Sequence, residues 1–296
     1  MFDTTPMLDC SGRRLRLDRP QVMGIVNVTP DSFSDGGAHD TLDSAVAYGL
    51  RLAEEGAAIL DVGGESTRPS ADPVPLEEEL RRVVPVIERL VAQTSLPISI
   101  DTFKPEVMRA AVAAGAGMIN DIRALREPGA LEAAAELKVP VVLMHMQGEP
   151  CSMQTAPHYD DVVVEVHRFL AERIFAAEMA GVDKRRIVLD PGFGFGKDTR
   201  HNLRLLAELE RFAGFGLPVL AGLSRKRSIG ELTGRDVPAE RVYGSVAAHL
   251  IAAQRGATLL RVHDVAATID ALKILEALPP TQPHATPGPA VCWPDE

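Results

Sequence analysis

The sequence predicts an α/β fold of the (β/α)8 TIM barrel class with an N-terminal β-hairpin. Two observations carry this reading. Short apolar runs recur near residues 22–27, 57–62, 97–101, 117–120, 140–145, 186–190, 218–222 and 258–262, separated by segments of helical period. Alternating β and α elements require parallel pairing with helical crossovers, and eight such units close naturally into a barrel. Seven of the runs stop at a polar or charged residue: Asn27, Asp61, Asp101, Asn120, His145, Asp190 and Arg261. A carboxylate or amide ending a Val/Ile/Leu strand costs desolvation unless a partner or ligand satisfies it. Such endings, repeated around one fold, point to one reactive rim. A doubly wound open sheet is the competing arrangement.

The elements follow in order. Residues 8–20 read as a small hairpin: Ser11-Gly12 is a turn dipeptide, and Leu15 and Leu17 alternate with Arg14 and Arg16. This segment, within residues 1–20, is expected to plug the barrel end opposite the site, and the barrel itself to occupy 21–278. Between 159 and 180, Val162, Val163, Val166, Phe169, Leu170 and Ile174 give an i, i+3, i+4 stripe, and Gly181 is a suitable C-terminal stop. Residues 226–255 have room for two helices. Residues 279–296 carry six prolines and no periodicity, which predicts a disordered or loosely docked tail around Trp293.

Composition removes several function classes. A net charge of -10 argues against broad nucleic-acid or membrane-surface binding, which would call for a basic patch. Cys10, Cys151 and Cys292 are odd in number and widely spaced, so they signal neither a disulfide framework nor a zinc site. With no signal-peptide pattern and no run near the ~20 apolar residues of a membrane span, a soluble protein in a reducing cytoplasm is expected.

Chemistry-bearing residues cluster after the runs. NVTPDSFSDGG (27–37) has the make-up of a lid: Gly36 and Gly37 supply backbone freedom, Phe33 a flat closing surface, and Asp31 and Asp35 charges suited to a cation. DVGGESTRPS (61–70) presents Ser66, Thr67 and Arg68, a combination suited to phosphate or carboxylate. Asp101, Asn120 and Asp190 together suit a flat heterocycle with amino and lactam edges. DPGFGFGK (190–197) has neither Walker A nor dinucleotide spacing, so Phe193 and Phe195 read as an aromatic wall. In AGLSRKRSIGELTG, Ser224 is the expected N-cap, and Arg225, Lys226 and Arg227 open a helix whose dipole they oppose unless an anion binds. A Schiff-base role is the alternative for Lys226, although its basic neighbours in a loop differ from the usual buried strand setting. Arg261 and His263, two apart on one strand face, make a second anion site.

Taken together, NVTPDSFSDGG, DVGGESTRP, SIDTF, IND, LMHMQG, LDPGFGFGK, GLSRK and RVHD resemble the dihydropteroate synthase family, in order, across residues 21–276. The resemblance implies condensation of 6-hydroxymethyl-7,8-dihydropterin diphosphate with 4-aminobenzoate, releasing diphosphate in folate biosynthesis, with Mg2+ as cofactor. It implies that Asp101, Asn120, Asp190, Gly222 and Lys226 hold the pterin, with Met144 against its plane. Asn27, Arg68, Arg261 and His263 would bind diphosphate, Asn27 also reaching the magnesium. Phe33, Thr67, Arg68, Pro69, Phe195, Ser224 and Lys226 would shape the aminobenzoate pocket. Asp35, Asp101, Asp190, Lys226, Arg261 and His263 would carry the chemistry. A homodimer and sulfonamide binding are expected on the same ground.

Two departures stand out: Ser70 replaces the Gly usual after TRP, and INDIRALREPG replaces smaller residues after IND. The rival readings are a methyltetrahydrofolate-binding methyltransferase-type barrel, which needs no diphosphate site, and a non-catalytic pterin-binding paralogue.

Overall fold

The computed structural model describes residues 6–29, 38–65, 73–148, 153 and 157–279. The proline-rich tail with Trp293 lies outside them. The hairpin is formed by β1 (Met7–Cys10) and β2 (Arg13–Arg16). Eight parallel strands follow: β3 (Gln21–Asn27), β4 (Ile59–Gly63), β5 (Ile98–Asp101), β6 (Met118–Asp121), β7 (Val141–Met144), β8 (Ile187–Asp190), β9 (Leu220–Ala221) and β10 (Leu259–Val262). Around them run α1 (Ala38–Glu54), α2 (Leu76–Gln93), α3 (Pro105–Ala113), α4 (Ala130–Leu137), α5 (Val162–Met179), α6 (Thr199–Ala207), α7 (Glu210–Ala213), α8 (Arg227–Thr233), α9 (Val242–Gln254) and α10 (Val265–Glu276).

The strands neighbour one another in sequence order, and β3 pairs with β10. A single parallel bridge, Leu189 to Val219, joins β8 to the start of β9 and closes the ring. Closure rules out the doubly wound alternative. The β8–β9 seam is thin: β9 has two residues, and the cross-seam bond is Leu189 N–H to Pro218 O at 2.9 Å.

The hairpin plugs the N-terminal mouth as expected. Ser11 (φ 55°) and Gly12 (φ 83°) form a two-residue turn with both φ positive, the geometry that matches strand twist. Its inward residues Leu8, Cys10, Leu15 and Leu17 pack on Met23, Ile59, Met118, Val142, Val188, Leu220 and Leu259, the lowest layer of the barrel interior. At Gly117 an added Cβ would lie 2.4 Å from the Cys10 carbonyl oxygen, so only glycine lets β6 start this close to the plug. Arg13 fastens the outside, donating to the carbonyls of Val91, Thr94 and Leu96 at the end of α2.

Outside the strands, α5 matches the apolar stripe read from the sequence. Asp161 caps it by accepting from Val163 and Val164 N–H, and Val162, Val163, Val166, Leu170 and Ile174 are buried. Gly181 ends it at φ 98°, while Phe169 is only partly buried. The region 226–255 does contain two helices, α8 and α9.

Candidate active site

Above the apolar layer the barrel interior turns polar, because the strand period of two aims the predicted strand-end residues inward. His145 is the exception: it follows the inward Met144 of β7 and packs outside the strands against Tyr159 and Phe169. Asp61 on β4 stands level with Ser99 on β5, and Arg261 on β10 reaches across β3 towards both carboxylate-bearing strands. Its guanidinium donates through Nε to Asp61 Oδ2 and through Nη2 to Asp101 Oδ2, each at 2.6 Å. Asn120 Nδ2 donates to the same Asp61 oxygen at 3.0 Å. Asp61 is 0% exposed, and its Oδ1 has no hydrogen-bond partner among the described residues. Two buried carboxylates therefore share one partly exposed guanidinium.

The electrostatics follow from that crowding. Burial, reinforced by the Asp61 charge, pushes Asp101 up to about 7 against the opposing pull of Arg261. Burial lifts Asp190, at the end of β8, to about 6, although its Oδ1 accepts from Gly192 N–H at 2.7 Å. Lys226 is lowered to about 8 by burial and by Arg261, and held from falling further by Asp190 and Asp101. Its Nζ lies 4.2 Å from the centroid of the Phe195 ring. Burial opposes the charge on Arg261, yet Asp61 and Asp101 hold its pKa above the ordinary arginine value.

His263 differs from the expectation of a second cation. Burial and Arg261 push it down to about 3, so the imidazole is neutral at pH 7. Ser224 Oγ accepts from His263 N–H at 3.1 Å and lies 3.0 Å from Nδ1. Ser224 holds His263 at both its backbone N–H and its ring Nδ1. Ser224 is thus the partner of His263 and not the helix N-cap. That position belongs to Lys226, which makes no capping bond. Arg225 does not open α8 either: at φ 56° it turns away and pairs with Asp264, Nε to Oδ2 at 3.0 Å. Arg227 pairs with Glu231 at 2.6 Å, so the predicted conflict with the helix dipole is resolved by acidic side chains.

A cavity of about 830 Å³ opens at this C-terminal mouth. Asp101, Asn120, Asp190, Lys226, Arg261 and His263 all line it. So do Asn27, Met144, Phe195, Gly222 and Ser224, so every described residue predicted for the site converges there. Met144 and Phe195 belong to an apolar patch with Ile122, Met146 and Met153. Phe193 borders the cavity but packs in the main core, so only Phe195 forms the predicted aromatic wall. Phe33, Asp35, Thr67, Arg68 and Pro69 lie outside the described residues.

Sequence reasoning missed three groups. Asp61 was read as a strand ending, not as the shared acceptor of Arg261 and Asn120. Lys197 was read only as part of a failed phosphate motif, yet its buried Nζ donates to Gly192 O at 2.8 Å and Phe195 O at 3.0 Å. Lys104, just past β5, holds Glu65 and Glu79 and donates to Val74 O at 2.9 Å, tying both ends of the segment after β4. For Asp61 and Lys104 the wanting signal was a contact partner distant in sequence; for Lys197 it was the winding of its own glycine loop.

Among the described residues no group of three or more His, Cys, Asp or Glu is placed to hold a metal ion. The Asn27 amide at the rim is a neutral oxygen donor. That set suits a hard ion carried mainly by ligand oxygens and water, as magnesium with a diphosphate is.

Comparison with known proteins agrees with this geometry. Residues 23–263 match the family model described as pterin binding enzyme. The dihydropteroate synthase of Escherichia coli (strain K12) is 54% identical over 270 residues, covering 91% of this chain and 95% of that protein. A dihydropteroate synthase of Xanthomonas albilineans, solved with 4-aminobenzoic acid, is 74% identical with a TM-score of 0.89, covering 93% of this chain and 100% of that one. The same enzyme in complex with 7,8-dihydropteroate superposes with a TM-score of 0.85 at 72% identity over the same coverage.

Proposed function

Because this chain belongs to the pterin-binding enzyme family, we propose that it is a dihydropteroate synthase, a transferase joining 6-hydroxymethyl-7,8-dihydropterin diphosphate to 4-aminobenzoate with release of diphosphate. The observation that carries the reading is the convergence of Asp101, Asn120, Asp190, Lys226 and Arg261 on one cavity at the barrel mouth. Hydrogen-bonding acids and an amide line its floor, and an aromatic–lysine pair stands at its side.

The reaction breaks the bond between the pterin's exocyclic carbon and diphosphate oxygen, and forms a bond from that carbon to the arylamine nitrogen, which then loses a proton. An arylamine is a weak nucleophile, so catalysis means assisting departure of the leaving group. Asp190 and Asn120 would hold the amino and lactam edge of the pterin, with Met144 against its plane. When Asp101 turns to the ring, the Arg261 Nη2 that it now occupies becomes available to the departing oxygens. His263, neutral and held by Ser224 at Nδ1, would donate to the same anion in the tautomer that carries its proton on Nε2. Phe195, Lys226 and Ser224 would form the described part of the aminobenzoate slot. Asn27 would hold magnesium together with the diphosphate oxygens; the ion, when bound, neutralises charge on the leaving group.

The reading extends to a homodimer, because α9 and α10 leave Tyr243, Ile251 and Ile274 exposed, apolar surface of the kind a second copy covers. It also extends to a cytoplasmic setting and to competition by sulfonamides, which copy the arylamine and acidic group of aminobenzoate. No described helix is long and apolar enough to cross a membrane. The test is to incubate purified protein with magnesium, pterin diphosphate and 4-aminobenzoate. Dihydropteroate and diphosphate appearing in equal amounts supports the assignment; pterin binding without turnover refutes it. Light scattering at twice the chain mass would support the dimer.

A further inference from the structure

The loop between Asp190 and Lys197 ends in a cation that the proposed reaction leaves unused. Lys197 is 2% exposed, and its partners are carbonyls and an imidazole, not a carboxylate. A buried ammonium forfeits several kcal/mol of hydration, and here the chain's own backbone replaces the water. Nζ donates to Gly192 O at 2.8 Å and Phe195 O at 3.0 Å, and lies 2.9 Å from His145 Nδ1. His145 O adds a longer contact at 3.4 Å, so Nζ is enclosed by polar atoms of the loop and of the segment after β7.

The loop's shape exists to make this possible. Gly192, Gly194 and Gly196 have φ of 70°, 82° and 62°, and this left-handed backbone winds tightly enough to bring two carbonyls onto one point. A Cβ on Gly192 would sit 1.9 Å from His145 O, and one on Gly196 would sit 2.3 Å from Gln147 O. The loop is therefore pressed onto the segment after β7, where Tyr159 Oη also donates to Gly196 O at 2.9 Å. On its other side the same loop presents the Phe195 ring to Lys226 Nζ.

We infer that Lys197 is a positioning residue for the arylamine substrate: by drawing the Gly192 and Phe195 carbonyls inward, it fixes the Phe195 ring against Lys226 and so sets the wall that the two present to the slot. The inference rests on the synthase reading of the site. Lys197 borders the cavity, but its Nζ is turned to the loop's own carbonyls, so the inference gives it no contact with either substrate and routes its effect through Phe195.

Lys197→Met keeps the stem and removes the donors. The expected result is a KM for 4-aminobenzoate raised about tenfold, with kcat and the calorimetric Kd of the pterin diphosphate within about twofold of the unmodified enzyme. In a Phe195→Ala background the same substitution should add less than about twofold, because the ring it positions is gone. If Lys197→Met does not fold, Lys197→Arg, which keeps the charge but not the reach, must show the same split between the two substrates. An unchanged aminobenzoate KM, an equal loss for both substrates, or full additivity with Phe195→Ala overturns the inference. Failure of the unmodified enzyme to make dihydropteroate would instead overturn the functional reading.

Discussion

At the N-terminal mouth of the barrel, Leu8, Cys10, Leu15 and Leu17 meet a layer of Met, Ile, Val and Leu side chains, and the inner face of the plug is held by apolar contacts while Arg13 pins its outside to backbone carbonyls. At the C-terminal mouth, the same strands deliver Asp61, Asp101, Asn120, Asp190 and Arg261 into a site where Asp101 and Asp190 are driven towards their protonated forms and Lys226 towards its neutral one. The lower end is built to be stable. The upper end holds ionised groups in a state that only a ligand with matching hydrogen bonds relieves. Stability and binding have been assigned to opposite ends of one set of strands, as the barrel class allows.

The largest expected effect that would break this contrast comes from Arg261→Ala. Removing the guanidinium leaves Asp61 and Asp101 facing each other unpaired, which should cost about 3–5 kcal/mol of stability and also slow diphosphate release. Thermal unfolding and a single-turnover diphosphate assay would both have to move; a variant that lost activity at unchanged melting temperature would show the network to be dispensable to the fold. At the other mouth, Leu15→Ala should cost about 2–4 kcal/mol through the cavity it leaves, with kcat/KM unchanged in the folded fraction. Activity falling in step with stability would mean that the two ends are coupled.

Asp190→Asn sharpens the electrostatic side. Asp190 titrates near 6 in the folded protein, above its ordinary 3.8, so the folded state keeps the proton that the unfolded chain gives up first. Its contribution is fully present below about pH 4 and is lost as pH rises through 6, a decline of at most about 3 kcal/mol. Denaturant midpoints measured from pH 4 to 8 should fall less in the Asn variant; parallel curves would remove Asp190 from the account. The smallest loss of stability belongs to Lys226→Ala, because a lysine lowered from 10.5 to about 8 carries its charge there at a cost that the substitution removes. Its binding of pterin and aminobenzoate should nevertheless weaken about tenfold or more by calorimetry, and unchanged affinities would count against its role.

Much of this division was legible in the residues. Short apolar runs marked the strands, their polar endings the rim, and Ser11-Gly12 the turn of the plug. What the sequence withheld were pairings. Asp61 and Arg261 are 200 positions apart, and nothing local tells that their side chains meet. Ser224 looked like a cap because a serine before a helix usually is one, but a histidine brought alongside by β10 took its hydroxyl. The residues after IND are likewise set by distant partners. Ala124 (φ 52°) and Leu125 (φ 57°) occupy a backbone region that favours glycine, supported by Asp121 accepting from Leu125 N–H at 2.7 Å and by Arg173 donating to both carbonyls.

The seam between β8 and β9 has a consequence for motion. Phe195 hangs from the loop after β8 and Lys226 from the loop after β9, so the two groups that bound the arylamine slot stand on opposite banks of the join with the fewest ladder bonds. Transient opening there would widen the slot without disturbing the Asp61–Arg261–Asp101 bridge on the far strands. In deuterated solvent, the Leu189 amide should therefore exchange ahead of its counterparts in β4 and β5, and an occupied slot should slow it.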